Sequence, residues 1–237
     1  MLSAKPRGFP TCSTPSFVGG YVFGFQGTNS ETSVSLTSLT GGLASAPAED
    51  DIVIVFYTTG SASGVDLDMY VTGYTEALDG YNPNGSGGVN YGVWWKKMTA
   101  TPDTSITVSR TANTAVPGVV VVHVWRGQDL SSPICAGPLY FNDTNITGVP
   151  NPPQIYSPYK GAVILCMGAG DGSFLDDMTF SAAYLSNFFE HVEQDSGRVS
   201  LGAGSVVALG GNYNPAAWTA TEPAYYPAAA TLVLKGA

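Results

Sequence analysis

Short runs of apolar residues recur along the chain, separated by segments rich in glycine, proline, serine and asparagine. Within 32–39, Val34 and Leu36 alternate with serine and threonine, which is the period-2 pattern of a half-buried strand. The runs 52–57 and 119–124 are apolar at nearly every position, which indicates strands covered on both faces. No long stretch has a clear 3.6-residue period. The pattern therefore predicts an all-β, antiparallel fold.

Two of the runs are matched about 110 residues later by segments of similar texture: IVIVFY (52–57) by AVILCM (162–167), and VVVVHV (119–124) by AATLVL (229–234). A shared spacing between two apolar runs indicates one supersecondary plan used twice, here as quasi-repeats of about 45–127 and 155–236. Two sheets that each have an apolar face bury those faces by packing together. The sequence thus predicts a jelly-roll-like β-sandwich of two quasi-repeated halves, with 19–237 as a single domain.

The connecting segments carry their own signals. Residues 1–18 contain three spaced prolines and no periodicity, which predicts an extended N-terminal arm that docks on another subunit through Phe9 and Phe17. The glycine- and asparagine-rich segment 79–90 predicts a long turn, and the proline-rich segment 127–159 predicts a strap between the halves. Segment 181–194 fits both a strand and a short helix. A strand is favoured, because the matching part of the first half has strand texture.

The composition limits the kinds of partner that the chain can be expected to bind. Charged residues make up 11% of the chain, and the formal net charge is −9 with nine basic residues, which argues against a nucleic-acid partner. No apolar run approaches the length of a membrane-spanning helix, so no membrane partner is predicted. Cys12 and Cys135 could pair, but three cysteines without a short spacing argue against a disulfide framework.

Candidate chemistry is sparse, and no catalytic residue is predicted. His123 lies within an apolar strand, which predicts a packed histidine with a hydrogen-bonded ring nitrogen. His191 lies between two glutamates, where a carboxylate–histidine pair or a metal ligand is an alternative to the favoured solvated polar edge. No cofactor is expected. Calcium is the one metal that the sequence suggests, with a weak candidate site at Asp171, Asp176 and Asp177, since acidic loops at strand ends bind this ion.

Aromatic residues are the other suggestive class. Trp94 and Trp95 are adjacent on a predicted strand and must point to opposite faces. Exposed tryptophan and tyrosine beside asparagine and aspartate suit both sugar stacking and protein interfaces. The residues expected to contact partners are Phe9, Phe17, Tyr81, Trp94 and Trp218. A glycan hydrolase would need two nearby carboxylates, for which the plausible sources are Glu76, Glu190 and Glu193.

The strand textures 49–55 (EDDIVIV), 91–97 (YGVWWKK), 104–109, 120–127 (VVVHVWRG) and 218–234 resemble a family of β-sandwich proteins from tailed-phage virions, which are head-decoration, fibre or tail components. The resemblance covers about 45–236. It implies a non-enzymatic structural protein, located in the virion, that binds other virion proteins.

The chain has no coiled-coil or repeat shaft, so a decoration or capping subunit is favoured over a fibre. We expect a homo-oligomer, with a trimer preferred. The alternative is a carbohydrate- or receptor-binding jelly-roll module, whose ligand would be a glycan.

Overall fold

The computed structural model describes residues 8–26, 31–60, 64–84, 87–111, 116–143, 148–172, 180–193, 198–221 and 225–237. Its regular elements in these ranges are all strands, so the predicted all-β class is confirmed. The strands are β1 (Ser16–Phe25), β2 (Glu31–Ser35), β3 (Ile52–Gly60), β4 (Met69–Val71), β5 (Thr75–Asn84), β6 (Gly87–Lys97), β7 (Ser105–Arg110), β8 (Gly118–Arg126), β9 (Ile134–Asn142), β10 (Ile155–Gly172), β11 (Phe180–Ser181), β12 (Ser186–Glu193), β13 (Arg198–Tyr213), β14 (Thr219–Ala220) and β15 (Tyr225–Leu234).

These strands form three antiparallel sheets and one short pair. Sheet I has the strand order β2-β7-β4, sheet II has β1-β8-β3-β6-β5, and sheet III has β12-β13-β10-β15-β9. Strands β11 and β14 pair separately. Strands β1-β8-β3-β6 of sheet II lie opposite β2-β7-β4 of sheet I, so the first half alone follows most of the strand order of a jelly roll. The sequence instead predicts a jelly-roll-like sandwich formed by the two halves together.

Sheet II is the middle layer of the fold, and both of its faces are covered. Alternate residues of β3 face opposite cores: Ile54 packs towards sheet III, whereas Val55 packs towards sheet I. The whole of β3 and all of β8 except Arg126 are buried. This double burial explains why both strands are continuous apolar runs in the sequence.

The strand orders of sheets II and III follow one plan. From one edge, sheet II runs β1-β8-β3-β6-β5 and sheet III runs β9-β15-β10-β13-β12, and the pair β4–β7 has a counterpart in β11–β14. The side chains do not follow the 110-residue spacing strictly, because Ile54 faces the core between sheets II and III, whereas Ile164 faces away from it. On β10, Leu165 is the residue that faces as Ile54 does. A duplication of sequence stays a prediction.

An aromatic cluster at one end of the core between sheets II and III surrounds His123. The His123 ring has centroid distances of 5.4 Å to Phe17, 5.5 Å to Phe56 and 5.7 Å to Phe189. The predicted burial of His123 is confirmed, but neither of its ring nitrogens has a hydrogen-bond partner in the part of the chain that the structure describes. Burial among these rings lowers the pKa of His123 to about 3.

The N-terminal segment belongs to the fold, and the expectation of an arm over 1–18 that leaves its own sandwich is wrong for the described residues 8–18. The Cys12 amide donates to the Lys160 carbonyl at 3.0 Å, and the Ser13 amide donates to the Ala237 carbonyl at 3.1 Å. Strand β1 already begins at Ser16 and pairs with β8. The physical reason is that backbone pairing requires no side-chain periodicity, so a proline-containing segment can still add to a sheet edge.

Three further predictions on the connections have outcomes. Segment 79–90 is not a long turn, because β5 and β6 stay paired from Tyr81 opposite Asn90 to Asn84 opposite Gly87. Pro83 is tolerated there because β5 is an edge strand.

The connection 127–159 contains strand β9 as well as the start of β10. Segment 181–194 contains strand β12, so the preference for a strand over a helix is confirmed.

Replacing each of the two phenylalanines of the N-terminal segment should separate core packing from surface contact. Phe17→Ala should lower the free energy of unfolding by about 3 kcal/mol, because the Phe17 ring lies 5.0 Å from that of Trp125 within the shared core. Phe9→Ala is the matched control, and it should cost less than about 1 kcal/mol because Phe9 is exposed. Urea denaturation measures both values. Equal losses for the two variants would contradict this assignment.

Buried His123 should make the fold sensitive to acid. The folded-state pKa of about 3 lies below the value of about 6.5 in an unfolded chain, so the unfolded state binds more protons below that pH. The stabilising contribution of neutral His123 is therefore complete above about pH 6.5 and is lost as the pH falls towards 3. The His123→Leu variant should lose this part of the pH dependence. Urea denaturation between about pH 4 and 8 measures the free energy of unfolding of both proteins. An unchanged slope would show that other groups cause the acid sensitivity.

Candidate interaction surface

Two of the residues expected to meet partners are buried instead. Trp94 is 1% exposed and packs between sheets I and II, while Trp95 points to the opposite face, as predicted for neighbouring strand positions. Trp218 is 2% exposed and covers the far face of sheet III, where its indole nitrogen donates to the Tyr184 hydroxyl at 3.0 Å. The expectation was wrong for both because an aromatic residue on a strand suits a core as well as an interface, and residue type alone does not distinguish the two.

The other three expected contact residues lie at different places. Phe17 is partly buried and packs against the core between sheets II and III. Tyr81 is half-buried on β5, and its carbonyl accepts a hydrogen bond from the Asn142 amide at 3.0 Å. Phe9 is exposed and is the one of the five that lies on an open apolar surface.

The acidic residues do not form a metal site in the described ranges. Asp171 is half-buried at the end of β10, whereas Asp176 and Asp177 lie outside the described residues. Within the ranges that the structure describes, no three histidine, cysteine, aspartate or glutamate side chains are grouped so that they could hold a metal ion. Near β5, burial and the neighbouring Glu76 carboxylate raise the pKa of Asp79 to about 6.

The glutamates proposed for a hydrolase are also apart. Glu76 lies on β5, at the edge of sheet II that faces β9, whereas Glu190 and Glu193 lie on β12, at the edge that faces β1. Glu190 accepts a hydrogen bond from the Ser200 hydroxyl at 3.2 Å. The fold therefore places Glu76 at the opposite side of the sandwich from the other two carboxylates.

Strands β10 and β13 extend beyond the rest of sheet III. Strand β12 pairs with β13 only as far as Ser205, and β15 pairs with β10 only from Val163 onwards. Beyond these points, 155–162 and 206–213 continue as a two-stranded ribbon, which pairs as far as Ile155 opposite Tyr213. We call this segment the ribbon.

One edge of the ribbon is open. The N-terminal segment lies along β10, where Thr11 bridges Lys160. On the other side, residues 206–213 of β13 have no strand neighbour in the described part of the chain. Their outward backbone groups are thus available to a further strand.

The open edge is apolar and lies between two pockets. Leu209 is 80% exposed, and Val207 is exposed beside it. A pocket of about 170 Å³ lies on the side of Pro15, Phe17 and Trp125, and a second of about 330 Å³ is lined by Ser157, Ile164 and residues 206–213. Both pockets include Val206 and Val207, so they meet at the edge itself.

Phe9 and Tyr156 extend this apolar surface, and their rings contact each other edge to face at 6.1 Å. The Phe9 ring packs against the bend at Gly210, whose φ is +84° and whose position leaves no room for a side chain, since a Cβ atom there would lie 2.6 Å from Phe9. A glycine is required at this point both for the backbone angle and for the contact.

Other sheet edges are protected by familiar devices. Thr40 exchanges backbone hydrogen bonds with Gly20 of β1. Strand β5 carries acidic residues and a proline, β12 carries two glutamates, and β9 contains Pro138. Segment 206–213 (VVALGGNY) contains neither charge nor proline. It is the exception among the described long edge strands.

A second exposed apolar group lies on β9. Leu139, Tyr140 and Phe141 are consecutive and exposed, and Tyr140 reaches 60% exposure. The neighbouring Asn142 accepts a hydrogen bond from the Tyr91 hydroxyl at 2.5 Å and donates to the carbonyl of Tyr81. This edge therefore combines exposed aromatic rings with polar groups.

Comparisons with models of protein families, with curated proteins and with solved structures found no significant match. In the ranges that the structure describes, no helix has the length and apolar character needed to cross a membrane. Inferences about function therefore rest on the surfaces described above.

Sequence reasoning missed the ribbon. The apolar residues of 199–209 favour a strand, but their pattern does not indicate which neighbouring strands it lacks. The available signal was the absence of charge and proline over 199–213, which is unusual for an edge strand.

Proposed function

We propose that this protein is a non-enzymatic structural subunit of a tailed-phage virion, a decoration or accessory subunit of the head or tail, which attaches through protein–protein contacts. The observation that carries the proposal is the open, uncharged edge of the ribbon with a pocket on either side. Extended segments of partner proteins bind such edges by adding a strand, with alternate side chains entering pockets on the two faces.

Two other observations support an assembly role. Trp94, Trp218 and His123 are all buried in the packing of the described part of the fold. Only 11% of residues are charged, so a large share of the surface is small, polar and suited to being covered by neighbours.

Electron microscopy of particles from the infected lysate, labelled with antibody against this chain, tests the proposal. We expect label on intact heads or tails, with pre-immune serum as the control. A chain that stays in the soluble fraction while purified particles are unlabelled would rule the proposal out. The variant Val207→Lys/Leu209→Lys should be incorporated less than wild type. Tyr70→Lys, which changes an exposed residue of β4 on the other side of sheet II from the ribbon, should be incorporated normally.

The β9 edge favours a second candidate function, the binding of a glycan. Exposed Tyr140 offers a flat ring for stacking, and polar groups at Asn142 lie next to it. If this surface binds glycans, a glycan array should show a ligand whose binding is abolished by Tyr140→Ala and retained by Tyr156→Ala. An array without any ligand for the wild-type chain would count against this alternative.

A further inference from the structure

The open edge of the ribbon raises the question of which strand covers it. The occupant must be extended, because it would add to β13 by backbone hydrogen bonds. An uncharged strand fits best, since the pocket on the Phe17 side is lined by apolar residues and by the neutral polar residues Ser186, Asn187 and Ser205, none of which could form an ion pair with a buried charge. Aliphatic side chains on such a strand would cover Val207 and Leu209.

The chain itself contains a strand that meets these requirements, namely the edge 206–209 of a second copy. Its residues Val206, Val207, Ala208 and Leu209 are uncharged, and this edge has no neighbour among the described residues. Two copies with a formal charge of −9 repel each other, and a contact through a charge-free segment keeps the like charges away from the interface.

We propose that two copies of this chain pair through the β13 edge, antiparallel about a two-fold axis at Ala208. This inference deepens the proposed function by naming the first partner of the ribbon. An antiparallel pair of identical strands is self-complementary. If residue i of one copy contacts residue j of the other, then residue j of the first copy contacts residue i of the second.

The register follows from the exposed side chains. A two-fold axis perpendicular to the sheet keeps each side chain on the same face in both copies, so residues of equal parity lie opposite each other. Centring the axis on Ala208 places Val207 of one copy opposite Leu209 of the other, twice. This register covers both exposed aliphatic side chains, and the buried Ala208 of each copy meets its counterpart without a bulky side chain.

The pairing differs from the trimer expected from the sequence. Antiparallel contact between identical edges has two-fold symmetry by construction, and it joins the two ribbons into one four-stranded sheet, since each ribbon has two strands. Strand β12 takes no part in this junction, because its pairing with that edge of β13 ends at Ser205. The bend at Gly210 and Gly211, both with positive φ, limits the straight part of the edge to the residues before it.

Charge variants at the two opposed positions test both the dimer and its register. Wild type should sediment as a dimer, and Val207→Lys/Leu209→Lys should sediment as a monomer, because lysines would then lie opposite lysines. The variant Val207→Lys/Leu209→Glu should dimerise again, since in the proposed register each lysine then lies opposite a glutamate of the other copy. Sedimentation velocity over a concentration series measures the oligomeric state of the wild type and of both variants.

Tyr70→Lys is the matched control, because Tyr70 is exposed and lies on β4 of sheet I, on the other side of sheet II from the ribbon, and this variant should remain a dimer. Thermal unfolding of each variant checks that the fold is retained. A monomeric wild type at the highest concentration reached, or a double-lysine ribbon variant that still dimerises, would overturn the inference. A lysine–glutamate variant that stays monomeric would overturn the register. Antibody label on particles together with a monomeric wild type would reject the dimer and leave the proposed virion role standing.

Discussion

Double-sided burial of sheet II is the constraint on which the rest of the structure depends. Strand β3 has no solvent face, so each of its residues must be compatible with one of two cores. At about 25 cal/mol per Å² of apolar surface, removing either neighbouring layer would forgo a stabilisation comparable to that of a whole domain. Sheets I and III are therefore both required for the middle sheet to be stable.

The same constraint explains where polar groups are tolerated. Asp51, just before β3, is buried, and its carboxylate accepts hydrogen bonds from Arg126 at 2.7 and 2.9 Å and from the Ala48 amide at 2.8 Å. His123 has no such partners and is held neutral by its aromatic surroundings. The buried charge of Asp51 thus lies at the end of β3, where the Ala48 amide and the half-exposed Arg126 can reach it. The histidine inside the core is neutral.

Sequence patterns predicted the positions of the main strands well, but they did not predict which elements cover each strand. The continuous apolar runs of β3 and β8 correctly indicated coverage on both faces, because period-2 alternation disappears only when both faces are buried. Trp94 and Trp218 were placed on a surface because the outer layers that cover them consist of short strands and loops with weak patterns. The N-terminal segment was misjudged for a related reason, since its contacts to Lys160 and Ala237 are made by the backbone and leave no trace in residue type. Likewise, an open edge is a property of where a neighbouring strand stops, as β12 does at Ser186.

The glycine bend after Leu209 has a consequence for selectivity. It leaves room for only a few backbone hydrogen bonds to an added strand, and each contributes about 1 kcal/mol. Backbone pairing of this kind is nearly blind to sequence. The choice among competing strands must then be made by the two or three side chains that reach the pockets on either side of Val207, so that discrimination resides in cavity shape.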